Sequence, residues 1–132
     1  MNLKGCFSKK TDDWRTPSDL YHKYIDNGFI DCFPFMADYD EFKVIYSRKK
    51  LFVNPPYSKL KFLPEWIKKQ IDSECEVVLL IPARTDTKYF HELLKMDPDI
   101  EFIQGRLHFN DSKSGAPFPS LILTFRSSYV LY

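Results

Sequence analysis

The tetrapeptide Asn54-Pro55-Pro56-Tyr57 carries the residue types in this 132-residue chain best suited to chemistry on an amine. Asn54 offers a neutral side-chain carbonyl acceptor. The two prolines fix φ and supply no N–H, so the turn is stiff and leaves bare backbone carbonyls as acceptors. Tyr57 adds a flat aromatic face. An aromatic amine on a nucleobase has two N–H donors and a lone pair delocalised into its ring. Two placed acceptors, the Asn54 side chain and the Pro55 carbonyl, can hold both hydrogens and favour a pyramidal nitrogen whose lone pair is aimed at an electrophile. Tyr57 can stack on such a base once it has left the helix. The plainer reading of the same four residues is a proline-rich turn after a strand.

The surrounding pattern says what positions this turn. Leu51-Phe52-Val53 reads as a short buried strand, and an amphipathic helix runs from Pro64 to about Ile71 with Trp66, Ile67, Gln70 and Ile71 setting its period. The tetrapeptide therefore falls at the carboxyl end of a strand, the edge where open α/β sheets bind ligands. Upstream, Thr16 reads as an N-cap with Pro17 at the first helical position and Asp19 in the first turn; Asn27-Gly28 ends that helix. Residues 29–33 read as a strand followed by a loop stiffened by Pro34, and 44–46 as a short strand. Residues 77–81 are a continuous apolar run, expected of a strand covered on both faces. Asp86 reads as the cap of a helix carrying Phe90, Leu93 and Leu94. Strands are expected at 100–103, 107–109 and 121–125, the last two as an antiparallel pair. Alternating strands and helices with an antiparallel closing edge indicate a mostly parallel α/β sheet in one domain over 14–132, preceded by a flexible polar segment, 1–13.

Composition narrows the function classes. Apolar residues make up 44% of the chain, enough for a core, and no stretch is long or apolar enough to span a membrane. Residues 1–10 have no apolar core, so a signal peptide is not expected. Three scattered cysteines (Cys6, Cys32, Cys75) and three dispersed histidines show no metal-ligand spacing and no disulfide framework, which fits a reducing cytoplasm. Net charge is only +1, so overall charge does not announce a nucleic-acid partner, and local lysine clusters serve equally as solvated surface.

Six blocks taken in order carry a resemblance over almost the whole chain: Asp-Asp-Trp-Arg-Thr-Pro (12–17), Ile-Asp-Cys-Phe-Pro-Phe (30–35), Asn-Pro-Pro-Tyr-Ser (54–58), Leu-Leu-Ile-Pro-Ala-Arg-Thr-Asp-Thr-Lys-Tyr-Phe-His (79–91), Gly-Arg-Leu-His-Phe (105–109) and Ala-Pro-Phe-Pro-Ser (116–120). The chain resembles the phage-type (Dam-like) DNA N6-adenine methyltransferases. The resemblance implies an abbreviated Rossmann-like fold that uses S-adenosylmethionine (SAM) as cofactor and double-stranded DNA as partner. It implies catalytic roles for Asn54, Pro55, Pro56 and Tyr57, and cofactor contacts from Trp14, Thr16, Pro17, Asp31, Cys32, Phe33 and Pro34. Phe109 or Phe118 would pack on the flipped base opposite Tyr57. Arg84, Lys88 and Arg106 would form a basic lip on the DNA backbone, with Asp86 either in that block or as the ion-pair partner of Arg84.

Two departures from the wider SAM-binding pattern stand out. Residues 31–40 contain no glycine, although a backbone that approaches a ligand closely is commonly glycine-rich. Only the 22 residues from 32 to 53 separate Asp31 from Asn54, too few for two strand–helix units. Other readings stay open on the sequence: a cytosine N4, RNA or protein-amide methyltransferase, or a decayed methyltransferase fold that binds DNA without reacting. Monomer and homodimer stay open too.

Overall fold

A computed structural model describes residues 14–128; the polar segment 1–13 and the last four residues lie outside the described residues. In chain order the elements are α1 (Ser18–Ile25), β1 (Ile30–Cys32), β2 (Lys50–Val53), α2 (Leu63–Asp72), β3 (Glu76–Pro82), α3 (Lys88–Leu94), β4 (Asp99–Phe102) and β5 (Ser120–Phe125). Short 3-10 turns lie at Glu41–Lys43, Tyr57–Phe62 and Phe109–Asp111. No helix among the described residues is long and apolar enough to cross a membrane.

The strands form one sheet in the order β1-β2-β3-β5-β4. β1, β2 and β3 are parallel neighbours, in register Asp31 to Phe52 and Phe52 to Val78. β5 runs antiparallel to both β3 and β4, so it alone is reversed. The sheet is thus the expected mostly parallel α/β sheet with an antiparallel C-terminal strand. Side chains alternate across it with period two. Leu51, Val53, Val77, Leu79 and Ile81 face one layer, made by Leu63, Trp66 and Ile67 of α2 and Phe90 and Leu93 of α3. Phe52, Val78, Leu80 and Ile122 face the other, made by Leu20, Tyr24 and Ile25 of α1 and by Phe109. Every residue of β3 is buried, as its unbroken apolar run requires of a central strand.

Four local expectations are corrected. Residues 44–46 are not a strand, because side chains of α2 take their backbone groups. The Val44 carbonyl accepts from Trp66 Nε1 at 3.1 Å and Gln70 Nε2 at 2.8 Å, and Tyr46 N–H donates to Gln70 Oε1 at 2.9 Å. Residues 107–109 do not pair with β5. The chain instead turns at Phe109–Asp111 through left-handed Asn110 (φ 60°) and Asp111 (φ 51°), conformations that short polar residues tolerate best. The cap of α1 is Pro17 rather than Thr16, and that of α3 is Thr87 rather than Asp86; neither makes a side-chain cap bond. The Thr87 hydroxyl turns back to the Arg84 carbonyl at 2.8 Å.

Candidate active site

A cleft of 1090 Å³ opens at the carboxyl ends of β1 and β2. Asp31, the middle residue of β1, lines it with Asn54, Pro55 and Pro56, which follow directly on β2. Trp14, Arg15 and Thr16 and the loop from Phe33 to Phe42 also line it. The cleft therefore gathers residues from three separate sequence blocks at the sheet edge expected to hold ligands. Pro17 and Cys32 are not part of its lining. Cys32 is fully buried beneath the loop.

Asn54 is held by its amide nitrogen. Nδ2 donates to the Trp14 carbonyl at 2.6 Å and to Thr16 Oγ1 at 3.0 Å. A main-chain carbonyl only accepts, so the atom beside it must be the NH₂ end of the amide. Both Nδ2 hydrogens are then in use, while Oδ1 is buried with no hydrogen-bond partner among the described residues. Orphaned buried acceptors are rare in folded proteins and mark positions reserved for a ligand or a strain. In the following turn Lys59 N–H closes on the Pro56 carbonyl at 3.0 Å, a bond in which the Pro55 carbonyl takes no part.

Tyr57 begins the 3-10 turn and points into a cluster of rings. It meets Phe109 at 6.2 Å and Phe118 at 5.7 Å between centroids, both edge to face. Trp14 meets the same two rings at 5.7 and 5.2 Å, again edge to face. The Tyr57 hydroxyl is buried without a hydrogen-bond partner among the described residues, and burial, then Tyr89, pushes its pKa up. Phe109 is only 3% exposed. Tyr57, Phe109 and Phe118 are thus brought together as the sequence implied, but the slot between them is closed. A base sandwiched between parallel rings needs two stacking layers of about 3.4 Å each. The rings would have to turn parallel and move apart by about 1 Å to admit one.

The cleft wall is acidic: Asp31, Asp38, Asp40 and Glu41 face it against Arg15 and Lys59. Burial, then the nearby Glu41, pushes the Asp31 carboxyl up to about 6. Glu41 is itself buried, at 3% exposure, and accepts from Tyr46 Oη at 2.9 and 3.1 Å and from Phe33 N–H at 3.2 Å. The Cys32 thiol beside it is raised by burial first and by Glu41 second. The Glu41 contact with Phe33 has a backbone consequence. Phe33 (φ 62°) and Met36 (φ 58°) occupy the left-handed region, which bulky residues seldom enter. The tight turn after β1 is therefore made without the glycine whose absence the sequence shows, and a buried carboxylate holds it. Glu41 carries no sequence signal of its own among neighbouring acidic residues.

A second unforeseen feature anchors the segment 14–18. Arg15 N–H donates to Asn110 Oδ1 at 3.0 Å and Asn110 N–H returns to the Arg15 carbonyl at 2.9 Å. Asp111 accepts from Ser18 N–H at 2.9 Å and Ser18 Oγ at 2.5 Å, bonds that hold its carboxyl below the usual range. Arg84, Asp86 and Lys88 are exposed around the end of β3, and no ion pair joins Arg84 to Asp86 among the described residues. Lys88 instead lies 3.8 Å from Glu92, and Arg106 donates to the Ala116 carbonyl at 3.3 Å. Among the described residues no group of three or more His, Cys, Asp or Glu is placed to hold a metal ion.

Comparison with known proteins gives one match. No curated protein and no solved structure matches the chain. The family model described as DNA N-6-adenine-methyltransferase (Dam) matches residues 6–127, which include the segment 14–18, the cleft and the ring cluster. With that match over nearly its whole length, the chain belongs to the DNA N-6-adenine-methyltransferase (Dam) family.

Proposed function

We propose that this protein transfers the methyl group of SAM to the exocyclic N6 amine of adenine in double-stranded DNA. Family membership implies DNA adenine methylation. The observation that carries the finer reading is Asn54, whose amide is pinned by two acceptors so that its orphaned carbonyl oxygen is preset for an N–H donor.

The cleft suits the cofactor by the chemistry of its lining. Four carboxylates against two basic side chains complement a ligand that carries a sulfonium and an ammonium. Bound there, the cofactor supplies an electrophilic methyl group. Asp31 would face its positive charge, and Trp14, Phe33 and Pro34 would enclose it; Thr16 lines the same cleft with its hydroxyl turned to Asn54, and Pro17 and Cys32 lie outside the lining. Asn54 Oδ1 and the Pro55 carbonyl accept the two amine hydrogens and turn the nitrogen lone pair toward the methyl. Positive charge develops on nitrogen during transfer, and these fixed acceptors stabilise it without reorganising. The amine releases its proton after gaining the methyl, so no general base of tuned pKa is required. Tyr57 stacks on the flipped adenine, with Phe109 or Phe118 opposite after the ring cluster opens. Arg84, Lys88 and Arg106 hold the DNA backbone beside Tyr57, with Asp86 on the same exposed turn. The domain from residue 14 acts in the cytoplasm, where its DNA lies.

The experiment is incubation with unmethylated duplex DNA and tritiated SAM, digestion to nucleosides, and identification of the labelled nucleoside by mass. N6-methyldeoxyadenosine is expected. Label in N4-methyldeoxycytidine, or in RNA or protein alone, would overturn the substrate. An absence of SAM binding by calorimetry with DNA present would overturn the enzyme reading in favour of a DNA-binding relic.

A further inference from the structure

We propose that Thr16 is a positioning residue for this reaction: its hydroxyl sets the plane of the Asn54 amide so that Oδ1 faces the substrate amine. The inference rests on the function proposed above and concerns how the chain presets its acceptor. Thr16 stands just before α1, where a threonine hydroxyl ordinarily caps the helix. It does not cap here. The helix starts after Pro17 without a side-chain cap bond, and Thr16 Oγ1 instead accepts from Asn54 Nδ2 at 3.0 Å across 38 residues of sequence.

One bond would not orient the amide. The terminal torsion of an asparagine is broad and roughly twofold, so a side chain held only by the Trp14 carbonyl still swings about that contact. The Thr16 bond adds a second point and fixes the plane. With both Nδ2 hydrogens committed, the carbonyl oxygen is the end left for substrate. The segment 14–18 is itself anchored. Arg15 exchanges two bonds with Asn110, and Ser18 donates twice to Asp111, so Thr16 sits between two fastened residues. Asn110 and Asp111 take up left-handed backbone to present these partners. Strain of this kind persists where surrounding bonds over-determine it.

Preset acceptors speed a reaction only if they need not reorganise when it occurs. The role belongs to the hydroxyl and not to the threonine methyl, so serine should keep it and valine should lose it. The test uses wild type, Thr16→Val and Thr16→Ser with three readouts: the Asn54 side-chain amide signals and their hydrogen exchange by NMR, the single-turnover rate of methyl transfer to duplex DNA, and SAM affinity by calorimetry. Thr16→Val should shift and deprotect one Asn54 amide proton and slow transfer at least tenfold, with SAM affinity within twofold of wild type. Thr16→Ser should recover both the amide signal and most of the rate. Four results would overturn the proposal: unchanged amide signals in Thr16→Val, a normal rate despite a lost bond, a serine variant no better than valine, or weakened SAM binding at an unchanged rate, which would make Thr16 a cofactor contact. Absence of transfer by wild type itself overturns the proposed function, and it is seen before any substitution is made.

Discussion

Replacing Asp31 with asparagine separates what the acidic cleft costs the fold from what it does for a ligand. The Asp31 carboxyl is raised from 3.8 to about 6, by burial first and Glu41 second. Two units correspond to about 3 kcal/mol for a carboxyl sealed from water. Asp31 is only partly buried and lines an open cleft. Solvent screening therefore reduces the penalty to roughly 1 kcal/mol, or about 4 °C of melting temperature in a domain of this size. The sign follows from the direction of the shift. A raised acid favours its neutral form in the fold, so the wild-type contribution is fully present below the unfolded pKa and is lost as pH rises through about 6. Asparagine stays neutral throughout. Asp31→Asn should therefore melt about 4 °C higher than wild type at pH 7.5, and the difference should vanish toward pH 4. The same variant should bind SAM about tenfold more weakly at pH 7.5, near 1.4 kcal/mol. Wild-type affinity should fall as pH drops through about 6, while the affinity of the variant should not. Melting curves and calorimetry across pH 4–8 give both quantities. A melting difference that is flat with pH, or unaltered SAM affinity in Asp31→Asn, would refute the reasoning.

Four further substitutions test other parts of the structure. Tyr57→Phe removes a buried hydroxyl that has no partner among the described residues and should stabilise the fold by about 1 kcal/mol. Tyr57→Ala should weaken the flipped-base complex by about 1–3 kcal/mol. Fluorescence of 2-aminopurine at the target position reports flipping, and equal behaviour of the two variants would remove the stacking role. Arg84→Gln should weaken binding to all duplexes about equally and flatten the salt dependence by about one unit for the lost phosphate contact. An unchanged slope with a lower melting temperature would make Arg84 structural. Gln70→Leu should destabilise by about 1–3 kcal/mol, because it leaves the Tyr46 N–H without its side-chain partner and the Val44 carbonyl with Trp66 Nε1 alone. Urea titration measures this, and a loss under 1 kcal/mol would show that the segment from Val44 to Tyr46 is held otherwise.

The parts of the fold legible in sequence were those whose own pattern decides them. β3 reads from its apolar run, α2 and α3 from their period, and the placing of Asn54 from the strand before it. Segments whose backbone is satisfied by distant side chains were not legible. Val44 to Tyr46 has the residue types of a strand, yet Gln70 and Trp66 take its hydrogen bonds from another helix. Leu107 to Phe109 also looks like a strand, but the Phe109 ring belongs to the cluster with Trp14, Tyr57 and Phe118, and the backbone turns at Asn110. Thr16 looks like a cap because its hydroxyl is adjacent to a helix start, and nothing local reveals that Asn54 lies against it. The same limit hid Glu41, whose use is to hold Phe33 in a conformation that glycine would adopt unaided. In the candidate site, the sequence placed residues 54–57 at a strand end, while the orientation of Asn54 came from contacts 38 and 40 residues away.

Single-turnover methyl transfer by Asn54→Ala, measured beside wild type with tritiated SAM and unmethylated duplex DNA, tests the role of Asn54 most directly. Loss of one preplaced acceptor at the reacting amine should slow transfer by about a hundredfold or more. The variant also loses the bonds to Trp14 and Thr16, so its folding is checked by melting and its cofactor affinity by calorimetry. The expected result is a folded protein that binds SAM and yields almost no N6-methyldeoxyadenosine, where wild type yields it readily. Transfer by folded Asn54→Ala at close to the wild-type rate would contradict the assignment of Asn54 to the reacting amine.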